Sequence, residues 1–387
     1  MPKRVWRVAA CAFLVAAIAG CAAKRSGYDV PEVPLPREYK NTFPSEQGAA
    51  ESLTPPLPDM VPDRGLVEWW RFFGSPELER LIDRGIANNA EVRIATLRVA
   101  QAKAKADQVR AGQLPEISAP LLVGRQMPGG TTVGSVPTSA DARVPQTSYQ
   151  ASMRGTWRLD VWGEQSALAE SANLQLWRAA FERDNTQRNL AATLASNYVE
   201  YASLNDRLQV ARELESVLAA TLPTIEKRVE VGDATMTELE QQRAAIYSLR
   251  ATIPTIEQQR EDVQNAIAFL VGTVPGSLKL SDAGLETLGL PAYVPGLPAA
   301  LLLRRPDVRM AEARMLSADA DIDVARARIL PPVDLSAQVG YSSIFLGQMF
   351  QPQALFWNAI ASLTASIFDA GKRSSEKEYA QAVHEEM

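Results

Sequence analysis

Two distant stretches of the chain carry the same pattern of small and apolar residues at steps of three and four. Residues 92–115 align without a gap on residues 308–331, at an offset of 216 residues. Identical pairs in the two copies include Val92/Val308, Arg93/Arg309, Arg98/Arg314, Asp107/Asp323, Arg110/Arg326 and Pro115/Pro331. The spacing predicts a helix with a narrow coiled-coil seam in each copy, ending at its proline. The chain is therefore expected to contain two structural repeats.

Beyond each proline the pattern changes to an alternation of apolar and polar positions, which is typical of a strand with two unlike faces. The alternation is regular over residues 149–161 and 333–341, has one exception over 357–367, and is weaker over 116–125. A transmembrane barrel with a water-filled lumen needs strands of about nine to eleven residues with this pattern. A soluble sheet with one buried face is the alternative.

Four strands cannot close a barrel by themselves. In hydrocarbon, an open strand edge would leave backbone N–H and C=O groups unpaired, and each unpaired group is costly. If these strands cross a membrane, several copies of the chain must therefore share one barrel. Three copies would supply twelve strands, although the count by itself also allows two or four copies.

A long helical hairpin is predicted after the first set of strands. Apolar residues recur over 190–229 at an average spacing close to 3.5 residues, which is typical of a left-handed coiled coil. A helix over 163–231 would be about 100 Å long, and Pro223 is expected to kink it. Residues 231–235 interrupt the pattern, and a return helix with the same spacing follows.

The predicted fold class is mainly α with transmembrane β, in two repeats of helix, β-hairpin and long helical hairpin. The chain is predicted to begin with a signal peptide (1–20) and a lipid-anchored N-terminal linker (21–66). The first repeat (67–290) is predicted to contain helices over 76–112, a β-hairpin over 116–161 and a coiled-coil hairpin over 163–273. The second repeat (291–387) is incomplete, with a helix over 306–330, a β-hairpin over 333–368 and the start of a helix over 371–387.

The N-terminus has the features of a lipoprotein signal peptide. Lys3, Arg4 and Arg7 precede an apolar run of about a dozen residues, which is too short to span a bilayer as a helix. The run ends in Ile-Ala-Gly-Cys, so cleavage is predicted to leave Cys21 as the lipid-acylated first residue. A plain secretory signal with an incidental cysteine is the alternative.

Composition excludes several classes of function. Removal of residues 1–20 would change the net charge from −5 to −8, because three basic residues and no acidic ones leave, so no basic footprint for nucleic acid remains. Cys11 would leave too, so the mature chain would hold neither a disulfide nor a cysteine-based zinc site. His384 is the only histidine and has no nucleophile motif around it. We therefore expect no enzyme, no metal, and no cofactor beyond covalent lipid on Cys21.

Two motifs are specific enough to suggest a family. They are Trp69-Trp70-Arg71-Phe72-Phe73, and Gly296-Leu297-Pro298 followed by Leu303-Arg304-Arg305-Pro306-Asp307-Val308. With them the chain resembles, over nearly its whole length, the outer-membrane efflux proteins of TolC type, in the lipoprotein (NodT-like) branch that serves resistance-nodulation-division pumps. The resemblance implies a homotrimer with a shared twelve-stranded β-barrel in the outer membrane and an α-helical barrel in the periplasm. It also implies a passive exit duct for small molecules such as drugs, fed by a periplasmic adaptor and an inner-membrane transporter.

The resemblance further implies where the periplasmic tip of the helical hairpin lies, at which the adaptor docks. The matching positions are Arg228, Val231, Gly232 and Thr235, with Asp233 beside them at a variable position. Glu238 falls near a carboxylate that would form a negative ring in the lumen. The alternative interpretation of Glu238 is an acid in the first turn of a helix, favoured by the helix dipole.

The second repeat departs from the family pattern. The first hairpin takes 112 residues from Gly163 to Pro275, whereas 16 residues follow the matching glycine, Gly371. A complete second hairpin would need about 96 more residues, in a protein of about 483. We therefore expect the chain to be a fragment or a truncated product.

Two other functions fit parts of the pattern. One is an outer-membrane duct of a protein secretion system, against which the lipoprotein signal and the Leu303–Asp307 motif argue. The other is a lipid-anchored periplasmic coiled-coil scaffold without a pore, against which the alternating strands argue.

Overall fold

The computed structural model describes residues 68–127, 145–289 and 305–387. The predicted signal peptide, Cys21, the linker over 21–66 and the motif residues from Gly296 to Arg304 lie outside the described residues. Within the described parts, no helix is both long enough and apolar enough to cross a membrane.

Six α-helices and five strands make up most of the regular structure of the described residues. The helices are α1 (Pro76–Asn88), α2 (Ala90–Ala111), α3 (Glu164–Glu230), α4 (Met236–Leu270), α5 (Pro306–Ala327) and α6 (Lys372–Glu386). The strands are β1 (Glu116–Ser118), β2 (Leu121–Gln126), β3 (Gln146–Leu159), β4 (Val333–Ser343) and β5 (Leu355–Leu363).

The two repeated helices end in the same way. Helices α2 and α5 are 22 residues each. After α2, the Leu114 N–H donates to the Ala111 carbonyl at 3.0 Å, and after α5 the Leu330 N–H donates to the Ala327 carbonyl at the same distance. The sequence repeat therefore corresponds to a repeat of local structure.

Side chains set the break between α1 and α2. The Ser75 hydroxyl caps α1 by accepting from the Leu78 N–H. Asn89 separates the helices, because its side-chain oxygen accepts from the Glu91 and Val92 amides at 2.8 and 3.3 Å and so starts a new helix. Pro223 and Pro254 both lie inside helices, in α3 and α4 respectively.

The strands form one antiparallel sheet in which β3 and β4 are the inner strands. Strands β1 and β2 both pair with β3, β3 pairs with β4, and β4 pairs with β5. The strand predicted over 116–125 is interrupted, because Pro120 has no N–H to donate; its carbonyl instead accepts from the Ser152 N–H at 3.1 Å.

The strand predicted over 357–367 was misplaced. It begins two residues earlier, at Leu355, and ends at Leu363. Leu363 is the partner of Val333, the first residue of β4, so the ladder offers no partner to residues beyond it.

The apolar face of the sheet is exposed. Register places Met153, Val339 and Trp357 side by side on one face, and their exposed fractions are 57%, 49% and 77%. Leu121, Val123, Leu355 and Leu363 on the same face are exposed as well. In a soluble sheet, other residues would pack against this face and bury it. None of the described residues does so, which argues against the soluble alternative.

The chain divides into two compact units that do not coincide with the two repeats. The first takes its described residues from 101–176 and 311–387, and the second from 68–100 and 177–310. In the first unit, the Trp162 indole N–H donates to the Pro331 carbonyl at 2.7 Å, and Arg328 pairs with Glu164 at 3.1 Å. These contacts join the start of α3 to the end of α5.

The second unit contains a hydrophobic core. Trp70, Leu78, Ile82, Leu194 and Ile267 are all at most 2% exposed. Tyr198 lies at the edge of this core, and its hydroxyl donates to the Glu77 carboxylate at 2.9 Å. Burial is the main cause that raises the pKa of Tyr198 above its ordinary value, so this hydroxyl stays protonated as a donor.

We predict that Gly340→Ala destabilises the sheet and that Gly155→Ala does not. A Cβ at Gly340 would collide with backbone atoms of Ala151 and Ser152, whereas one at Gly155 would meet nothing within 4 Å. The expected loss at Gly340 is about 1–3 kcal/mol of unfolding free energy, since backbone atoms must move. Denaturant unfolding in detergent measures both variants, and equal midpoints for the two would contradict the close approach of β3 and β4.

Candidate functional site

The turn between α3 and α4 has the hydrogen bonds of a Schellman motif. Gly232 has φ +80°, the left-handed conformation that glycine adopts without steric cost. The Gly232 N–H donates to the Val229 carbonyl at 3.1 Å, and the Asp233 N–H donates to the Arg228 carbonyl at 2.8 Å. The last carbonyls of α3 are thereby satisfied within the turn.

An ion pair between Arg228 and Asp233 also stabilises this turn. The Arg228 side chain donates to the Asp233 carboxylate at 3.0 Å and to the Asp233 backbone carbonyl at 3.1 Å. The hydrogen bond to Asp233 raises the pKa of Arg228 above its ordinary value. Asp233, at a position that the resemblance treats as variable, is therefore the partner that fixes Arg228.

Thr235 begins the return helix. Its hydroxyl accepts from the Glu238 N–H at 3.2 Å, and it is the N-cap of α4. Glu238 is the acidic residue in the first turn, three residues after the cap, which is the spacing of a capping box. The local geometry thus accounts for Glu238 as a helix-start residue, and a role in a negative ring stays a prediction.

The turn at the tip is ordered by hydrogen bonds at the end of α3 and at the start of α4, and it exposes apolar side chains. Val231 is 79% exposed and Met236 is 61% exposed. Exposed apolar side chains on an ordered turn suit contact with another protein. Arg228, Val231, Gly232, Asp233, Thr235 and Glu238 are all brought together here, within residues 228–238.

The seam of the hairpin changes character along its length. The predicted seam positions from Leu190 to Ala211 are buried, but Leu214 is 47% exposed. Val210 and Val217 flank it at coiled-coil spacing and are exposed at 61% and 60%. This stretch of α3 therefore carries an apolar stripe, Val210–Leu214–Val217, that the described chain leaves uncovered.

The described part of the Leu303–Asp307 motif forms an ion-pair cluster at the start of α5. Arg305 donates two hydrogen bonds to the Asp307 carboxylate, at 3.1 and 2.6 Å. This pairing lowers the pKa of Asp307 to about 2. Arg188 lies 3.8 Å from the same carboxylate, and the Arg309 guanidinium lies 4.5 Å from the centre of the Phe181 ring. The motif therefore fixes the start of α5 against α3.

Sequence reasoning missed one feature of the sheet, an ion pair between its two inner strands. Arg158 donates to both oxygens of Asp334, at 2.8 and 3.4 Å, across β3 and β4. The alternating pattern already placed both residues at polar positions, but their pairing depends on the register between the two repeats. Within the described residues, no group of three or more His, Cys, Asp or Glu side chains is arranged to hold a metal ion.

We predict that Gly232→Val loosens the tip, whereas Gly232→Asn largely preserves it. A Cβ at Gly232 meets nothing within 4 Å, so strain at positive φ is the only penalty; it is roughly 1–2 kcal/mol for valine and less for asparagine. Hydrogen exchange of the Asp233 and Ala234 amides, which donate to Arg228, should accelerate in the valine variant. Gly347→Val, at an open position without positive φ, is the control, and unchanged exchange at the tip would contradict the turn geometry.

The comparisons with known proteins agree on one family. Residues 81–273 and 297–387 match the model of the outer membrane efflux protein family. The chain is 31% identical to the pyoverdine export outer membrane protein OpmQ of Pseudomonas putida, over 84% of this chain and 68% of the relative. It is 27% identical to the probable outer membrane lipoprotein SilC of Salmonella typhimurium, over 94% of this chain and 74% of that relative. A crystal structure of a membrane protein from Pseudomonas aeruginosa superposes with a TM-score of 0.78 at 25% identity, over 93% of this chain and 78% of that one. The chain therefore belongs to the outer membrane efflux protein family, and the predicted fold of helices with an antiparallel sheet is confirmed.

Proposed function

We propose that this chain is a protomer of a passive, homotrimeric exit duct in the outer membrane, through which a tripartite efflux system exports small molecules. The observation that carries the proposal is the sheet, which has an exposed apolar face and a polar opposite face. An apolar face suits contact with hydrocarbon, and a polar face suits a water-filled lumen.

The sheet edges support a shared barrel. Strands β2 and β5 each pair on one side only within the described residues. In a bilayer those edges must find partners, because no water is available to satisfy their backbone groups. Counting β1 and β2 as one interrupted strand, each protomer contributes four strands, and three protomers would close a barrel of twelve.

The uncovered stripe Val210–Leu214–Val217 supports the same assembly in the helical part. Its spacing is that of a coiled-coil seam, and a neighbouring protomer in a tunnel of helices would cover it. The expected partners are therefore two further copies of this chain and outer-membrane lipid around the barrel.

The hairpin tip supports docking of a periplasmic adaptor, which would connect the duct to an inner-membrane transporter. A turn fixed by Gly232 and Arg228 and carrying exposed Val231 presents a defined apolar contact. The pyoverdine export named for the relative OpmQ, and the drugs implied by the resemblance, both support small molecules as the cargo.

A charge on the apolar face should block membrane assembly, whereas the same charge on the polar face should not. Ala359 and Asn358 are neighbours in the middle of β5, both exposed, and on opposite faces. We expect Ala359→Arg to cost about 2–4 kcal/mol at the bilayer midplane and Asn358→Arg to cost little. The measurement is native mass spectrometry of protein extracted from the outer membrane, which should find trimers of the Asn358→Arg variant and greatly reduced trimer of the Ala359→Arg variant.

Equal recovery of the two variants would contradict lipid contact at the apolar face. Recovery of wild-type protein as a monomer would contradict the trimer.

We propose that Cys21 carries the lipid anchor, because it follows the apolar run at the cleavage position of a lipoprotein signal. In cells labelled with radioactive palmitate, Cys21→Ser should lose the label, whereas Cys11→Ser should keep it, since Cys11 lies in the removed segment. Label on the Cys21→Ser variant would exclude acylation at this position.

A further inference from the structure

The charged residues of the sheet's polar face lie at one end of it. Within the described strands, register places four charged side chains on this face, namely Glu116, Arg154, Arg158 and Asp334, which we call the charge belt. The other polar-face positions carry uncharged residues: Ser118, Leu122, Gly124, Gln126, Gln146, Ser148, Gln150, Ser152, Thr156, Ser336, Gln338, Gly340, Ser342, Phe356, Asn358, Ile360 and Ser362. The belt therefore occupies the end of the sheet next to the helices.

Two of the four charges neutralise each other. Arg158 and Asp334 are direct register partners and form a two-point ion pair. Glu116 lies opposite Thr156, between the two arginines on the neighbouring strand. Arg154 lies between Ser118 and Gln338, both uncharged.

Arg154 and Glu116 are the two members of the belt without an ion pair among the described residues. The Arg154 side chain is exposed, and among the described residues no carboxylate lies within ion-pair distance of it. Glu116, Arg154, Arg158 and Asp334 together line a groove of about 1060 Å³. The guanidinium of Arg154 is thus available to ions or charged groups that enter this groove.

We propose that the charge belt sets the charge preference of the sheet-lined part of the duct, with its two unpaired members, Arg154 and Glu116, acting in opposite directions. The inference rests on the proposed function, which places the polar face toward the lumen. A ring of charged side chains in a pore attracts ions of opposite sign and repels those of like sign. A tightly paired couple such as Arg158 and Asp334 has a short-range field, whereas an unpaired arginine acts over a Debye length of about 10 Å at 0.1 M salt.

The test is the cation-to-anion permeability ratio of the full-length protein in planar bilayers, measured from reversal potentials in KCl gradients. We expect Arg154→Gln to raise the ratio about twofold at low salt, because each protomer loses one positive charge from the polar face. Glu116→Gln should change the ratio in the opposite direction. Both shifts should shrink at 1 M salt, where the Debye length is about 3 Å.

Two control variants separate charge from structural damage. Arg154→Lys keeps the positive charge and should keep the wild-type ratio. Arg125→Gln removes an arginine from β2, but its register partner Thr147 places it on the opposite, apolar face, so the ratio should again stay unchanged.

The outcomes distinguish this inference from the proposal on which it rests. A conducting Arg154→Gln variant with the wild-type ratio would overturn the role of Arg154 and leave the duct intact. A shift of the same size in Arg125→Gln would also overturn it, because the effect would then not depend on the face. Wild-type protein that produces no conductance would overturn the duct and, with it, the charge belt.

Discussion

The pairing of β3 with β4 is the interaction on which the arrangement of this chain depends. Eleven residue pairs, from Tyr149/Ser343 to Leu159/Val333, join a strand of the first repeat to a strand of the second. The register aligns alternate residues of both strands, so the apolar residues of β3 and β4 lie mainly on one face of the sheet and their polar residues mainly on the other. A shift of one residue would exchange the faces of one strand and destroy both surfaces.

The features that the proposed duct requires follow from that register. Met153, Val339 and Trp357 become one exposed apolar surface, while Arg158 meets Asp334 on the opposite face. The same pairing leaves β2 and β5 as edges. Each of these features belongs to the two repeats together, and neither repeat would have it alone.

The helical hairpin follows a different constraint, the heptad spacing of its apolar residues. Where that spacing meets the core of the second unit, as at Leu194 and Tyr198, the seam is buried. Around Leu214, by contrast, Val210, Leu214 and Val217 form a stripe at the same spacing whose side chains are exposed. An exposed apolar stripe at coiled-coil spacing is what a protomer of a larger helical tunnel would have.

Local pattern determined much of this protein from the sequence alone. The repeat predicted α2 and α5, the alternation predicted β3 and β4, and Gly232 marked the tip, because period, proline and glycine act on neighbouring residues. Only the tertiary structure decided the rest. The end of β5 at Leu363, and the pairings of Arg158 with Asp334 and of Arg188 with Asp307, depend on which backbone or side chain lies alongside. Contacts of that kind are set by strand register and helix packing between distant segments, and such information is absent from the spacing of residues within either segment.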